Sequence, residues 1–206
     1  MSQPSPLLIL SSRYQDALQL AVEIHRHQSR KDTGIPYTAH LLNVSGLVLA
    51  HGGNEDEAIA ALLHDSLEDH PDKITAADIE LRFGSQVLQH VLDCTDTPLD
   101  YRGGPKPCWK DRKQQHIESI IKIAQRSHRI LIADKLDNVR STLTDYKSLG
   151  ETVWSRFRAP RHEQLWYQQS LLQAFRVAGI QTPLFRTYEE AVHELLALCA
   201  AKQDVA

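Results

Sequence analysis

The sequence is that of an all-α protein, a bundle of helices, and three features say so. Apolar residues recur at spacings of three and four along most of the chain, runs of strict apolar-polar alternation are scarce, and glycines and prolines cut the periodic stretches into single-helix lengths. Its 206 residues fit one ordinary domain and suffice to bury a core without disulfides. We therefore expect a single domain over residues 1–206.

Taken in order, the first helix is expected from about Ser12 to Ser29, with Ser12 as its N-cap and Ala17, Leu20, Ala21 and Ile24 on the apolar face. A polar loop from Arg30 to Pro36 follows, broken by Gly34 and Pro36. Pro36 can open a second helix that carries His40 near its start, then Val44, Leu47 and Val48, and closes at His51-Gly52-Gly53. The third, about Glu55 to Asp69, holds the run AIAALLHDSLED and stops before Pro71, which cannot continue a helix. Thr75 with Asp78 three residues on matches a capping box for a short fourth helix, and Gly84-Ser85 separates it from a fifth over Gln86 to Cys94. Thr95 to Lys110, with Pro98, Gly103, Gly104, Pro105 and Pro107, reads as an exposed loop of the kind that often carries function. Helices resume over Asp111 to Ser127 and again through RILIADKLDNVRSTL, with a break near Gly150. A last pair spans about Arg161 to Ala178 and Tyr188 to Lys202, separated by Gly179.

Composition narrows the functional classes. Three cysteines without CxxC spacing, and an N-terminus without a basic start or long apolar run, point to a reduced, cytoplasmic protein. No apolar stretch approaches the roughly 20 residues of a membrane span. A net charge of −3 argues against general affinity for nucleic acid, yet leaves room for a small phosphorylated ligand held by a few local cations. Eleven histidines favour metal or acid-base chemistry where they cluster with carboxylates.

One such cluster stands out. His64-Asp65 follows Ala60, Ala61, Leu62 and Leu63, and an ionisable pair inside an apolar helix is costly unless something compensates it. By itself a His-Asp pair is more often a hydrogen-bonded structural pair than a ligand pair. His40, on an amphipathic helix after a Gly/Pro turn, and Asp134, which interrupts the apolar run Ile130 to Ala133, shift that balance. Two imidazoles and two carboxylates form a mixed nitrogen-oxygen set suited to Mn²⁺, Fe²⁺, Zn²⁺ or Mg²⁺, and Mn²⁺ is the expected ion.

The pattern H…HD…D resembles the signature of HD phosphohydrolases. The surrounding segments are similar to the hydrolase domain of RelA/SpoT-type alarmone enzymes: RKDTGIPYTAH (Arg30 to His40), AALLHDSLED (Ala60 to Asp69), FGSQVLQHVLDCTD (Phe83 to Asp96), Arg112-Lys113, and ADKLDNVR (Ala133 to Arg140). The resemblance covers about residues 13–150, with residues 151–206 as a helical tail. Nothing after Gly150 resembles the synthetase of the long bifunctional relatives, so the chain looks like a stand-alone small alarmone hydrolase. Two departures are visible: Leu41 follows His40 where many relatives have proline, and the loop Thr97 to Lys110 is Gly/Pro-rich where relatives carry a shorter, lysine-containing stretch.

The resemblance implies an HD-type bundle and hydrolysis of the 3′-diphosphate of guanosine alarmones to GDP or GTP plus pyrophosphate. It leaves open an adenosine alarmone, removal of the 2′-phosphate of NADPH, or a nucleotide-sensing module without turnover. Glu68 and Asp69, one helical turn after His64-Asp65, would orient or deprotonate the attacking water. Arg30 and Lys31 would hold the pyrophosphate, with Arg112 and Lys113 near the nucleotide. Asn138, four residues after Asp134, would bond a phosphate or sugar hydroxyl, whereas Asp137 is expected to face solvent. His25, His27, His51, His70 and His116 are expected at the surface or at helix ends. The aromatic residues Trp154, Phe157, Trp166 and Tyr167 are expected to pack in the core.

Overall fold

The computed structural model describes residues 7–31, 33–96, 108–123 and 125–201. Helices α1 (Ser12–Ile24) and α2 (Thr38–Ala50) are joined by a loop that an isolated bridge between Ser29 and Pro36 pinches shut. Within it the Arg30 amide bonds the Ile35 carbonyl at 2.9 Å, and Gly34 turns the chain at φ +70°, a value its missing Cβ permits. The cap of α1 is Ser11, whose side chain accepts from the Arg13 amide; Ser12, expected in that role, is the first helical residue.

The expected third helix is two. Helix α3 (Glu55–Leu63) opens on a capping box in which the Asn54 side chain bonds the Glu57 amide and Glu57 answers the Asn54 amide. It gives way at His64-Asp65 to the short α4 (Ser66–Asp69). Asp65 sits at φ −95°, ψ −4°, where the helix opens, and hydrophobic periodicity carries no sign of so local a change. Helices α5 (Ala76–Phe83), capped by Thr75 and Asp78 as expected, and α6 (Ser85–Cys94) follow, with Gly84 at φ +91° between them.

The expected loop over 95–110 falls mostly on residues 97–107, outside the described residues, and α7 begins at Trp109 (Trp109–Ser119). The helix expected over Asp111 to Ser127 is interrupted after Ser119. The Ser119 hydroxyl bonds the His116 carbonyl, Ile120 is fully buried, and the Ile120 carbonyl is taken by His128 Nε2 at 2.6 Å. That turn contains neither glycine nor proline at its described positions, so no sequence signal marked it. Helix α8 (Gln125–Leu149) runs 25 residues and passes at Gly150 into a 3₁₀ turn over Gly150–Arg156. Helices α9 (Arg161–Val177) and α10 (Pro183–Ala201) complete the chain, α10 starting five residues before the expected Tyr188.

Packing explains which element is central. In α3, Ala58 through Leu63 are completely buried, because α1, α2, α6 and α8 surround that helix. Helix α8 lies against α2, α3 and α6 on one side and α10 on another, while α7 packs on α9. Phe175 of α9 meets Phe185 and Tyr188 of α10 in edge-on ring contacts. Among the described residues no helix is long and apolar enough to cross a membrane.

Candidate metal centre and active site

Helix α2 delivers His40 in its first turn, the α3–α4 break delivers His64 and Asp65, and the middle of α8 delivers Asp134. Three packed helices thus turn ionisable groups toward one another. The ligand atoms of His40, His64 and Asp65 lie within 4.8 Å of one another. His40 Nε2 stands 3.2 Å from Asp134 Oδ1 and 3.8 Å from Asp65 Oδ2, and His64 Nε2 stands 3.0 Å from Asp65 Oδ2 and 3.8 Å from Asp134 Oδ1. His40 and His64 are buried, 1% and 2% exposed.

Both imidazoles are held by their far nitrogen. His40 Nδ1 bonds Asp137 Oδ2 at 2.7 Å, and His64 Nδ1 bonds the Ala61 carbonyl at 2.9 Å. Their Nε2 atoms face the shared centre without a hydrogen-bond partner. Buried polar atoms are seldom left so, and two of them beside two carboxylates fit a divalent cation. Around this set the Tyr37 hydroxyl donates to Asp65, Lys135 Nζ to Asp134 Oδ2 at 2.6 Å, and Asn138 Nδ2 to Asp134 Oδ1.

Electrostatics agree with a cation site. Burial pulls the His40 and His64 pKa values down, but the Asp134 and Asp137 carboxylates beside His40, and the charge of Asp65 beside His64, outweigh it and raise both. Burial pushes the carboxylates up, yet the His64 charge holds Asp65 below the usual range, and the Lys135 charge holds Asp134 well below it. Both shifts favour positive charge at this place, which is the charge a metal ion would supply.

The other expected residues divide. Glu68 approaches Arg112 Nη1 at 3.7 Å, whereas Asp69 is exposed and accepts from Gln28 Nε2 at 2.7 Å, so the two neighbours face different surroundings. Arg112 and Lys113 both donate to Asp96. Arg30 is turned onto α8: its Nη1 meets Asp137 Oδ2 at 2.6 Å and its Nη2 donates to Asn138 Oδ1 at 3.1 Å. Lys31 places Nζ 4.2 Å from the Phe157 ring centroid.

Three readings need correction. Asp137 does not face solvent; it is 9% exposed and accepts from His40, Asn43 and Arg30. Its spacing of three from Asp134 placed it on the same helix face, which was the available signal. His25 is buried, bonded to Gln28 and Ser66 and stacked on Tyr37 at 5.2 Å, so it backs the tyrosine that bonds Asp65. His116 is buried too, and burial lowers its pKa to about 3. Of the aromatic residues in the tail, Trp154 and Tyr167 are buried in the core, and the partly buried Phe157 and Trp166 pack against it with the Lys31 and Lys110 amines over their rings. Tyr37 and Lys135, neither singled out in the sequence, touch the centre directly.

Comparison with known proteins places this geometry. An HD domain family model matches residues 17–164. The guanosine-3′,5′-bis(diphosphate) 3′-pyrophosphohydrolase of Drosophila melanogaster is 34% identical over 74% of this chain and 79% of its own length. The Xenopus tropicalis protein of the same name is 35% identical over 72% and 78%. A solved structure described as a metazoan orthologue of SpoT that hydrolyses ppGpp superposes with a TM-score of 0.74 at 28% identity, covering 91% of this chain and 98% of that one. With its signature residues converging in an all-α bundle, the chain belongs to the HD domain family.

Proposed function

We propose that this protein is a Mn²⁺-dependent 3′-pyrophosphohydrolase of guanosine 3′,5′-bis(diphosphate)-type alarmones, returning GDP or GTP and releasing pyrophosphate. The observation that carries this reading is the meeting of two buried, unpartnered imidazole nitrogens with Asp65 and Asp134. Kinship to enzymes named for that activity chooses the substrate.

In this reading His40, His64, Asp65 and Asp134 hold the ion. When bound, such an ion supplies Lewis acidity toward a phosphoryl oxygen and acidifies water. The remaining work falls to side chains. Glu68 accepts a proton from the water that attacks the 3′-linked phosphorus, with Asp69 assisting. The bond from phosphorus to the ribose 3′ oxygen breaks, the oxygen gains a proton, and pyrophosphate departs with the water oxygen. Lys31, Arg112 and Lys113 form the cationic wall for the phosphates. Arg30 and Asn138, already bonded to each other, present one donor surface beside Asp134. An overall charge of −3 makes these local cations the means of holding a polyanion.

The test is a substrate panel on purified protein reconstituted with Mn²⁺. Guanosine 3′-pyrophosphates should release pyrophosphate fastest, ahead of adenosine 3′-pyrophosphates and NADPH. Preferred release of orthophosphate from NADPH would replace this reading, and stoichiometric binding without product would make the protein a sensor.

A further inference from the structure

Asp137 is a buried carboxylate with three partners drawn from three places in the chain. Its Oδ2 accepts from His40 Nδ1 at 2.7 Å and from Arg30 Nη1 at 2.6 Å, and its Oδ1 accepts from Asn43 Nδ2 at 2.9 Å. A neutral imidazole can offer a lone pair on only one nitrogen, so the group bonded to Nδ1 decides whether Nε2 can ligate. A backbone carbonyl makes that choice for His64, and Asp137 makes it for His40. The same carboxylate anchors the guanidinium of the basic loop, which otherwise leaves the body of the bundle between Ser29 and Pro36.

We propose that Asp137 is a positioning residue that couples the metal centre to the basic loop, fixing His40 as an Nε2 donor while holding Arg30 beside Asn138. This rests on the metal-centre reading given above. Substitution of a carboxylate behind a ligating histidine typically weakens metal affinity or activity by about 10–100-fold. Arg30 should differ, because it touches His40 only through Asp137. Losing Arg30 removes one partner of the carboxylate and leaves the bond to His40 intact.

A groove of about 640 Å³ between α2 and α8, lined by Arg30, His40, Asn43 and Asp137 among others, borders the carboxylate. Water can therefore replace a shortened side chain there, which favours folded variants. Asn43 is exposed, so Asn43→Ala probes the same carboxylate without burying a void.

The experiment measures Zn²⁺ and Mn²⁺ dissociation constants by calorimetry for wild type, Asp137→Asn, Asn43→Ala and Arg30→Gln, with melting of each metal-free protein alongside. The Nδ1 proton of His40 is followed by NMR in the Zn²⁺-loaded form. Asp137→Asn should weaken metal binding by about 10-fold or more and expose the Nδ1 proton to fast exchange. Asn43→Ala should move both in the same direction by less, and Arg30→Gln should raise KM while leaving the metal constant within about 3-fold, a difference of under 1 kcal/mol. Absence of metal binding in wild type would overturn the metal-centre reading itself. Wild-type metal affinity in Asp137→Asn, or in Asn43→Ala should the former not fold, would overturn the positioning role; a lowered melting temperature alone would then mark Asp137 as structural.

Discussion

At the proposed metal centre, protons compete with a metal for the same imidazole nitrogens, and this fixes the sign of two pH effects. In the metal-free protein the pKa values of His40 and His64 are raised above their ordinary 6.5. Their contribution to stability is therefore fully present below about pH 6.5 and is lost as pH rises through the raised values. A metal takes over as those protons leave. We expect the melting-temperature gap between metal-loaded and metal-free protein to widen as pH rises above about 6.5, and calorimetry in buffers of different ionisation enthalpy to show proton release on metal binding. A constant gap with no proton release would place the metal elsewhere. Asp65→Ala should lose both the metal and turnover, since Asp65 is one of the converging ligand groups; manganese retained in that variant would contradict its assignment. The acid-base pair should separate as the structure separates it. Glu68→Gln should reduce turnover by about 10²-fold or more at unchanged metal content, and Asp69→Asn, exposed and bonded to Gln28, by less. Equal loss in both would give Asp69 a part in the reaction equal to that of Glu68. Most of this centre was legible in the sequence because charge inside an apolar run demands a partner, and His64, Asp65 and Asp134 all interrupt such runs. Asp137, Tyr37 and His25 were not, because each acts through another side chain and sits in a segment that reads equally well as an ordinary polar helix face.

Elements set how firmly those side chains are held. Helix α3 ends at His64, so its register determines where the imidazole stands, and the capping box at Asn54 fixes that register from the other end. Loss of a cap of this kind costs about 1 kcal/mol, and for a protein of this size that is a melting-temperature fall of roughly 2–4 °C. Asn54→Ala should show that fall with little change in KM, because the capped end lies a full helix away from the ligand; a large KM change with an unaltered melting curve would mean that the cap serves the pocket. Boundaries marked by Gly84 and by the Thr75-Asp78 capping pair are legible in the sequence almost to the residue, as α5 and α6 show, whereas α10 opens at Pro183, ahead of the expected Tyr188. Breaks made by tertiary contacts were invisible. The α3–α4 opening follows from side-chain bonds at Asp65, and the turn after α7 follows from His128 reaching the Ile120 carbonyl. Neither contact leaves a trace in local periodicity.

The family match ends at residue 164, in the first turn of α9, but the packing does not end there. Helix α10 buries Leu184, Phe185, Tyr188, Val192 and Leu195, and it packs on α8, the helix that carries Asp134, Lys135, Asp137 and Asn138. Tyr188 also donates to Gln168 at 2.6 Å, tying α10 to α9. Five large side chains at about 1.5–3 kcal/mol each amount to roughly 7–15 kcal/mol, against a total stability of about 5–15 kcal/mol for a domain of ordinary size. These five burials are thus as large as the margin that keeps such a domain folded. The region that resembles the alarmone hydrolases only weakly in sequence therefore packs on the helix that carries Asp134 of the proposed metal centre. A chain ending at Gln181 should lose cooperative unfolding and metal binding together, and Tyr188→Ala should lower the melting temperature while leaving the metal stoichiometry of the folded fraction at one. If the shortened chain instead melts cooperatively and binds metal as tightly as the full chain, α10 is an appendage and the centre is held by α2, α3 and α8 alone.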